Sequence, residues 1–287
     1  MNPQFSIVTP SLNYARYLEE CICSVRAQKG VSWEHIVIDG GSQDETAQVL
    51  CEYPHLRVVC EPDEGMSDAI NKGFELARGE WVMWLNADDR LLPGALAEVA
   101  RCASRHPETD VIYGSFNFVD DAGRLMRRMR LLPFSLFVLV HHGIYVPSTA
   151  AFYRKTTVLD QGFRLDKRFR IVMDEEFYAR LGCAGKRFHY LPCVLADFRL
   201  HGENQSIRTL QGKGSVDSEW KSAIHAAEGE TVLRVYGFTP FRRRIFNHAS
   251  DFLLYLVAWS LKGLLKLPYW FQLRLPAPDD EVPPAAE

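Results

Sequence analysis

Short apolar runs alternate with amphipathic segments through the first 116 residues of the chain. Runs of four to six apolar, often branched, residues predict strands, and apolar positions three or four apart predict helices. The predicted strands are residues 5–9, 35–39, 57–60, 81–86 and 111–116. The predicted helices are residues 15–28, 45–51, 67–77 and 94–104. This order is typical of an α/β protein with a mainly parallel, Rossmann-like sheet and helices on both faces.

The second half of the chain has a less regular pattern. Asp120-Asp-Ala-Gly123 predicts a hairpin turn, because glycine adopts the positive φ angle that such a turn requires. Residues 172–181 predict a helix that carries three consecutive acids, and the polar, glycine-containing residues 205–214 predict a loop. Residues 276–287 are rich in proline, alanine and acid, so we expect a disordered tail.

A basic, apolar segment precedes that tail, at residues 241–275. Up to residue 274 it has six basic residues against one acid around the apolar run 252–261, a local charge of +5. A bilayer span needs about 20 apolar residues, so this run is too short to cross a membrane. It predicts an amphipathic helix in the membrane interface, with aromatic and basic residues on both sides. The alternative is a helix that packs on the domain or on a second copy, as in a homodimer.

Overall charge and cysteine content limit the functional classes. The net charge of −3 lacks the positive field that a nucleic-acid partner requires, so we expect no nucleic acid. Seven cysteines, an odd number without paired CxxC spacing, indicate reduced and mostly buried thiols in a cytosolic protein. Because the chain opens directly into a strand, we expect no signal peptide.

The strand Trp81-Val-Met-Trp-Leu-Asn-Ala-Asp-Asp89 ends in a cluster of acids and amides. Ligands of open α/β sheets bind at the carboxyl ends of the strands, where this cluster would lie. Two carboxylates and a carboxamide are oxygen ligands that suit a divalent cation holding phosphate. The alternative is structural: Asp88 or Asp89 caps a helix that begins near Pro93.

Two other predicted strands also end in polar residues. The first continues as Thr9-Pro-Ser-Leu-Asn13 and the second as Asp39-Gly-Gly-Ser42-Gln-Asp44. Glycines let the backbone approach a flat ligand closely, and Asp39 can accept hydrogen bonds from its N–H or hydroxyl groups. Ser42 or Asp44 would cap the helix that follows. Three polar strand ends on one edge are harder to explain by capping alone.

Four motifs in order resemble those of family 2 glycosyltransferases, which are inverting enzymes of the GT-A fold. The motifs are Ser6-Ile-Val-Thr-Pro-Ser-Leu-Asn13, Ile38-Asp-Gly-Gly-Ser-Gln-Asp-Glu-Thr46, Asp63-Glu-Gly-Met-Ser-Asp-Ala-Ile-Asn-Lys-Gly73 and Trp84-Leu-Asn-Ala-Asp-Asp89. The chain is most similar to the bacterial exopolysaccharide, O-antigen and colanic-acid branch. The resemblance implies a GT-A domain at residues 1–207, with a nucleotide-sugar half (about 1–116) and an acceptor half (about 117–207). A connector at residues 208–240 would follow.

The resemblance also implies roles for individual residues. Asp88, at the second acidic position of the DxD motif, and His201 would bind a divalent cation, with Asp89 as a further candidate. Asp174 would be the catalytic base, with Glu175 and Glu176 as second choices. The residues implied in donor binding are Thr9, Pro10, Ser11, Asn13, Asp39, Ser42, Asp68, Asn71, Asn86 and Ala87. Asn86 departs from the family, which has aspartate there, and this departure leaves open whether it contacts ribose or metal.

The resemblance thus implies a metal-dependent enzyme that moves a sugar to a hydroxyl group. Mg²⁺ or Mn²⁺ would stabilise the departing diphosphate, and a carboxylate would take the proton of the acceptor hydroxyl. We take a UDP-sugar as the default donor and a GDP-sugar as the second. We expect the acceptor to be a glycan or a lipid-diphosphate-linked glycan, and the protein to lie in the cytoplasm at the inner face of the membrane.

Two other functions would use some of the same residues. A nucleotidyltransferase of similar fold would need a basic, glycine-rich loop after the first strand, and residues 9–13 are neither basic nor glycine-rich. A non-catalytic subunit that binds sugar nucleotides would share the donor residues. It would tolerate the loss of Asp174, and an enzyme would not.

Overall fold

The computed structural model describes residues 2–202, 204, 228–229, 231–232 and 260–261. Its strands are β1 (Phe5–Ser11), β2 (Trp33–Asp39), β3 (Arg57–Cys60), β4 (Trp81–Trp84), β5 (Arg90–Leu91), β6 (Val111–Val119), β7 (Leu125–Met129), β8 (Ala151–Arg154) and β9 (Phe188–Arg199). Its helices are α1 (Ala15–Arg26), α2 (Thr46–Cys51), α3 (Met66–Leu76), α4 (Ala95–Arg105), α5 (Leu136–His142) and α6 (Met173–Cys183). The predicted loop 205–214, the basic segment 241–275 and the tail 276–287 lie outside the described residues, apart from 260–261.

The strands form one mixed sheet in the order β3-β2-β1-β4-β8-β6-β9-β5, with β7 beside β6. The first four strands of this order run parallel, as the alternation of strands and helices predicts. Beyond β4 the directions change, because β8 is antiparallel to both of its neighbours. The prediction of an α/β fold is therefore correct, and the mainly parallel arrangement describes the first half of the chain.

The central strand β1 is buried along its whole length, and helix α3 packs closely against it. A Cβ atom added at Gly73 would lie 2.1 Å from Cγ1 of Val8, so only glycine allows this contact. On β4, the Trp84 ring stacks on Tyr153 of β8 with 5.4 Å between ring centroids. Because β1 and β4 pair in parallel with Val8 opposite Trp84, these contacts lie near the carboxyl ends of both strands.

The predicted turn at residues 120–123 is confirmed. The N–H group of Gly123 donates to the carbonyl of Asp120 at 2.9 Å, and Gly123 has a φ angle of 77°. The antiparallel pair β6–β7 flanks this turn. The hairpin thus carries Asp120 and Asp121 to the end of β6.

The expectation that the cysteines are mostly buried is wrong. All seven are free thiols, and only Cys21 and Cys102 are buried. Cys51, Cys60 and Cys183 are exposed, because each stands at the end of a helix or strand where the chain leaves the core.

Some residues late in the chain contact the body of the fold. Val232 is 2% exposed and belongs to the large apolar cluster that also includes Phe177 of α6. Leu261 packs against the same cluster. Within the part of the chain that the structure describes, no helix is both long and apolar enough to cross a membrane.

Candidate functional site

The loops after β1 and β2 are joined by hydrogen bonds at the carboxyl edge of the sheet. Asn13 has a left-handed backbone with φ of 58°, and its N–H group donates to Oγ of Ser42 at 2.8 Å. In return, Oδ1 of Asn13 accepts the N–H of Gln43 at 2.8 Å. Asparagine tolerates this conformation better than most residues. The predicted donor residues Asn13 and Ser42 therefore lie together.

Asp44 fixes the starts of the two helices that follow these loops. Its Oδ2 accepts the N–H of Ala15 at 3.0 Å, and its Oδ1 accepts the N–H of Thr46 at 3.1 Å. Burial opposes the charge, but the bonds from Thr46 and Ala15 lower the pKa of the Asp44 carboxyl. The sequence left Ser42 and Asp44 as candidates to cap this helix, and Asp44 is the one that bonds Thr46, the first residue of α2.

Asp39, at the end of β2, turns its carboxylate towards its own loop. Oδ2 accepts N–H groups from Gly41 at 3.3 Å and Ser42 at 3.1 Å, and Oδ1 accepts the Ser42 hydroxyl at 2.5 Å. The side chain is largely buried, at 6% exposure. Contact between Asp39 and a nucleotide base remains a prediction.

Thr9 and Ser11 on β1 differ in what they offer to a ligand. The Thr9 hydroxyl is buried and lies 2.8 Å from Nε2 of His35, inside the fold. Burial, with the nearby His55, lowers the pKa of His35 to about 3, so that imidazole is neutral. Thr9 therefore presents no side-chain atom at the edge. The Oγ atom of Ser11 is buried without a hydrogen-bond partner among the described residues.

Asp68 and Asn71 on α3 are occupied by another part of the protein. The Asn71 side chain bonds both the carbonyl and the N–H group of Leu165, at 2.8 and 2.9 Å. Asp68 accepts from Nζ of Lys167 at 3.2 Å. These two predicted donor residues hold α3 against residues 165–167, and their role in donor binding stays a prediction.

The chain turns sharply after β4, between Asn86 and Asp89. The N–H of Asp89 donates to the Asn86 carbonyl at 3.0 Å, and Nδ2 of Asn86 lies 3.3 Å from Oδ2 of Asp89. Burial and the neighbouring Asp88 raise the pKa of the Asp89 carboxyl well above its usual range. Helix α4 begins at Ala95 after Gly94, and neither aspartate caps it. The capping interpretation is therefore wrong for both.

The two predicted metal ligands lie in direct contact. Nε2 of His201 is 2.9 Å from Oδ2 of Asp88, although 113 residues separate them in the chain. Asn204 donates to the same carboxylate oxygen at 2.9 Å, and its own Oδ1 accepts the N–H of His201 at 2.5 Å. Asn204 was not predicted as a site residue; its place three residues after His201 was the available signal.

Arg199 holds the turn at residues 86–89, the acidic turn, in place. The sequence did not predict it as a site residue. It is 1% exposed, and its Nε donates to the Asp88 carbonyl at 3.0 Å. Its terminal nitrogens donate to the Asp121 carbonyl at 2.7 Å and to the Glu20 carboxylate at 2.6 Å. Its backbone N–H donates to Oδ1 of Asp89 at 3.0 Å. One side chain thus joins the acidic turn, α1 and the β6–β7 hairpin.

Aromatic rings form one wall beside His201. The Tyr17 ring lies 4.8 Å from the imidazole between centroids, and the Tyr14 ring lies 6.0 Å from it. The Tyr17 hydroxyl donates to the Asp121 carboxylate. Burial and this bond raise the pKa of Tyr17 to about 12. In the sequence Tyr17 falls on the apolar face of a helix, which is why it reads as a core residue.

The three consecutive acids in the first turn of α6 lie in different environments. Glu176 forms a two-bond ion pair with Arg180, at 2.8 and 2.9 Å, so its carboxylate is already used. Glu175 is buried, at 5% exposure. Burial, together with the Glu175 charge, raises the pKa of Asp174 to about 7, although the N–H of Glu175 donates to it. A carboxyl group that titrates near neutrality suits a proton acceptor.

The donor set at Asp88 fits a divalent cation that is shared with a ligand. Aspartate oxygen and imidazole nitrogen are ordinary ligands of Mn²⁺, and aspartate suits Mg²⁺. Across the described residues, no group of three or more His, Cys, Asp or Glu side chains could hold a metal ion. Metal binding by Asp88 and His201 stays a prediction, and it would need further ligands such as phosphate oxygens.

Comparisons with known proteins identify the family to which this fold belongs. The model of glycosyl transferase family 2 matches residues 6–168, more than half of the chain. The chain belongs to this family. A PGL/p-HBAD biosynthesis glycosyltransferase of Mycobacterium bovis is 39% identical over 118 residues, which cover 39% of this chain and 46% of the relative. The chain thus spans about half the length of such curated relatives.

Longer alignments and solved structures extend the similarity. An uncharacterized glycosyltransferase of Rickettsia conorii is 24% identical over 247 residues, 81% of this chain and 40% of that protein. Staphylococcus aureus TarS in complex with UDP-GlcNAc has a TM-score of 0.62 at 18% identity, over 89% of this chain and 79% of that one. The mannosyltransferase PcManGT of Pyrobaculum calidifontis, with GDP-Man and Mn²⁺, has a TM-score of 0.56 at 16% identity, over 95% and 79%. These likenesses confirm the GT-A fold.

Proposed function

We propose that this protein is a metal-dependent inverting glycosyltransferase that moves a sugar from a nucleotide-diphosphate donor to a hydroxyl group. The observation that carries the proposal is the buried contact between Asp88 and His201 at the carboxyl edge of the sheet. Its membership of glycosyl transferase family 2 supports the same activity. A separate acid with a pKa near 7, Asp174, supplies the second chemical group that such a reaction needs.

Donor binding would use the edge formed by the β1, β2 and β4 ends. Asp88 and His201 would hold Mg²⁺ or Mn²⁺, which neutralises the charge that develops on a departing diphosphate. The Asn13 and Ser42 loops are joined at this edge, and the buried Ser11 hydroxyl has no hydrogen-bond partner among the described residues. The similar folds bind UDP-GlcNAc and GDP-Man, so we propose a UDP-sugar first and a GDP-sugar second.

Transfer would need one proton acceptor and no enzyme nucleophile. Attack by the acceptor hydroxyl on the anomeric carbon inverts that centre in a single displacement through an oxocarbenium-like state. Asp174 would take the hydroxyl proton as the new bond forms. Glu176 is a poorer candidate because Arg180 already holds its carboxylate.

A lipid-linked glycan is the acceptor class that we propose. The charge of +5 over residues 241–274 supports contact with an anionic membrane, where such an acceptor resides. A variant that lacks residues 241–287 should no longer sediment with vesicles containing anionic lipid. Sedimentation equal to that of the full chain would contradict membrane contact through residues 241–287 and leave the transfer proposal intact.

The central test separates donor binding from transfer. UDP- and GDP-sugars are screened with Mn²⁺ for an increase in melting temperature, and the stabilising donor is used with a glycan acceptor. Asp174→Asn should retain stabilisation by the donor and lose at least about 100-fold in turnover. His201→Gln should lose the Mn²⁺-dependent part of the stabilisation. Asp160→Asn, in an exposed ion pair with Lys155, is the matched control.

Three outcomes would contradict parts of this proposal. Full turnover by Asp174→Asn would exclude that residue as the base. Equal stabilisation with and without Mn²⁺ would exclude the metal role of Asp88 and His201. Donor binding without any transfer in the wild-type protein, across all acceptors, would favour the non-catalytic subunit.

A further inference from the structure

The carboxylate of Glu228 binds three consecutive backbone N–H groups just before α6. Its Oε1 accepts from Arg170 at 3.0 Å, and its Oε2 accepts from Ile171 at 2.9 Å and from Val172 at 3.2 Å. The helix begins at the next residue, Met173. A residue almost 60 positions further along the chain therefore covers the amino end of this helix.

The start of α6 needs such a partner. The first N–H groups of a helix have no acceptor within the helix, and the helix dipole favours a negative charge there. Of the three N–H groups that Glu228 binds, that of Val172 belongs to the residue just before the helix, and those of Arg170 and Ile171 precede it. Glu228 therefore places a negative charge at the amino end of α6 and holds the three residues that lead into the helix.

A second feature holds this part of the chain on the fold. Val232, four residues after Glu228, is 2% exposed in the large apolar cluster that also contains Phe177 of α6. Residues 228–229 and 231–232 are helical. The burial of Val232 and the three hydrogen bonds of Glu228 thus hold this segment against the fold at two places.

We propose that Glu228 is a positioning residue for the transfer reaction. Asp174 stands two residues after Val172, in the first turn of α6. When Glu228 holds this turn, it fixes the direction in which the Asp174 carboxylate points towards the acceptor hydroxyl. This inference rests on the proposed role of Asp174 as the base. It gives the chain beyond residue 207 a part in catalysis that is separate from any membrane contact.

The test is removal of the carboxylate and its replacement by a small anion. In the full-length protein, Glu228→Ala should lower kcat about 10- to 100-fold with the KM for the donor unchanged, because a displaced base slows only the chemical step. Formate or acetate at tens of millimolar should restore part of kcat, since three free N–H groups form an anion site. Potassium chloride at equal ionic strength should not. Glu228→Gln, which keeps one acceptor oxygen, should fall between the two.

Matched controls distinguish positioning from general loss of structure. Glu52→Ala, on an exposed residue at the end of α2, should keep wild-type kcat and show no response to formate. A wild-type kcat in Glu228→Ala would overturn the inference, as would a loss of kcat that formate does not reverse. If Asp174→Asn is active, the proposed base fails, and the positioning role fails with it. If Asp174→Asn is inactive and Glu228→Ala is normal, only the positioning role fails.

Discussion

Replacing Arg199 by methionine tests whether this arginine holds the site together. Methionine fills a similar volume but donates no hydrogen bonds. The Asp88 carbonyl, in a residue that is 7% exposed, would lose its partner, which costs about 1–3 kcal/mol. The other two partners are more accessible to water. The Glu20 side chain is 48% exposed and keeps its ion pair with Arg90, so its loss adds less than about 1 kcal/mol.

The expected sum is a decrease of about 1–4 kcal/mol in the free energy of unfolding. In a chain of this size that corresponds to a melting temperature lower by roughly 2–10 °C. Urea unfolding followed by the fluorescence of the buried Trp81 and Trp84 would measure it, together with calorimetry. The matched control is Arg124→Met, whose side chain is 82% exposed and pairs with Asp120. Its cost should stay below about 1 kcal/mol. Equal effects of the two substitutions would refute the reasoning, because burial would then make no difference.

Two further predictions use the same structure. Asp174 has a pKa of about 7, so the deprotonated fraction that can act as the base rises about tenfold from pH 6 to pH 8. Turnover at saturating donor should rise by the same factor. A flat profile over this range would contradict Asp174 as the base. Gly73→Ala should destabilise the protein by about 1–3 kcal/mol, despite the better helix propensity of alanine, because the new methyl group would strike Val8. In a thermal unfolding assay, Gly73→Ala should cost less stability in a Val8→Ala background than in the wild-type protein, and an equal cost in both would exclude this contact as the cause.

Local sequence patterns predict the elements from β1 to α4, apart from the two-residue strand β5, and they also predict β6; they do not predict β7, β8 or β9. Residues near in sequence set the periodicity of the predicted elements, so their order follows from the sequence. Strand β9 contains Pro192, which cannot donate to a sheet and lowers any strand prediction. In the structure the register with β6 jumps from Leu191 to Val194, so Pro192 and Cys193 form an irregularity. Strand β4 ends at Trp84, two residues before the predicted end at Asn86, because the hydrogen bond from the Asp89 N–H to the Asn86 carbonyl closes a turn there.

The candidate site was predicted only where its chemistry is visible in the residue types. The family resemblance indicated Asp88 and His201, and the structure brings them together. Arg199 and Asn204 act through contacts with residues more than 100 positions away or with backbone groups, which a single sequence does not reveal. For Thr9 the strand was predicted correctly, the side chain is buried, and the role in donor binding stays a prediction.

The long sequence separations around Asp88 have a consequence for the order in which the protein assembles. The contacts of Arg199 with Asp88 and Glu20 span 111 and 179 residues, and that of Asn204 with Asp88 spans 116. During synthesis, the strands up to β4 can pair before these partners have been synthesised. The Asp88 and Asp89 carboxylates would then lack these hydrogen-bond donors until residue 204 emerges. We therefore expect folding intermediates of this chain to have a formed amino-terminal sheet and no contact between Asp88 and His201.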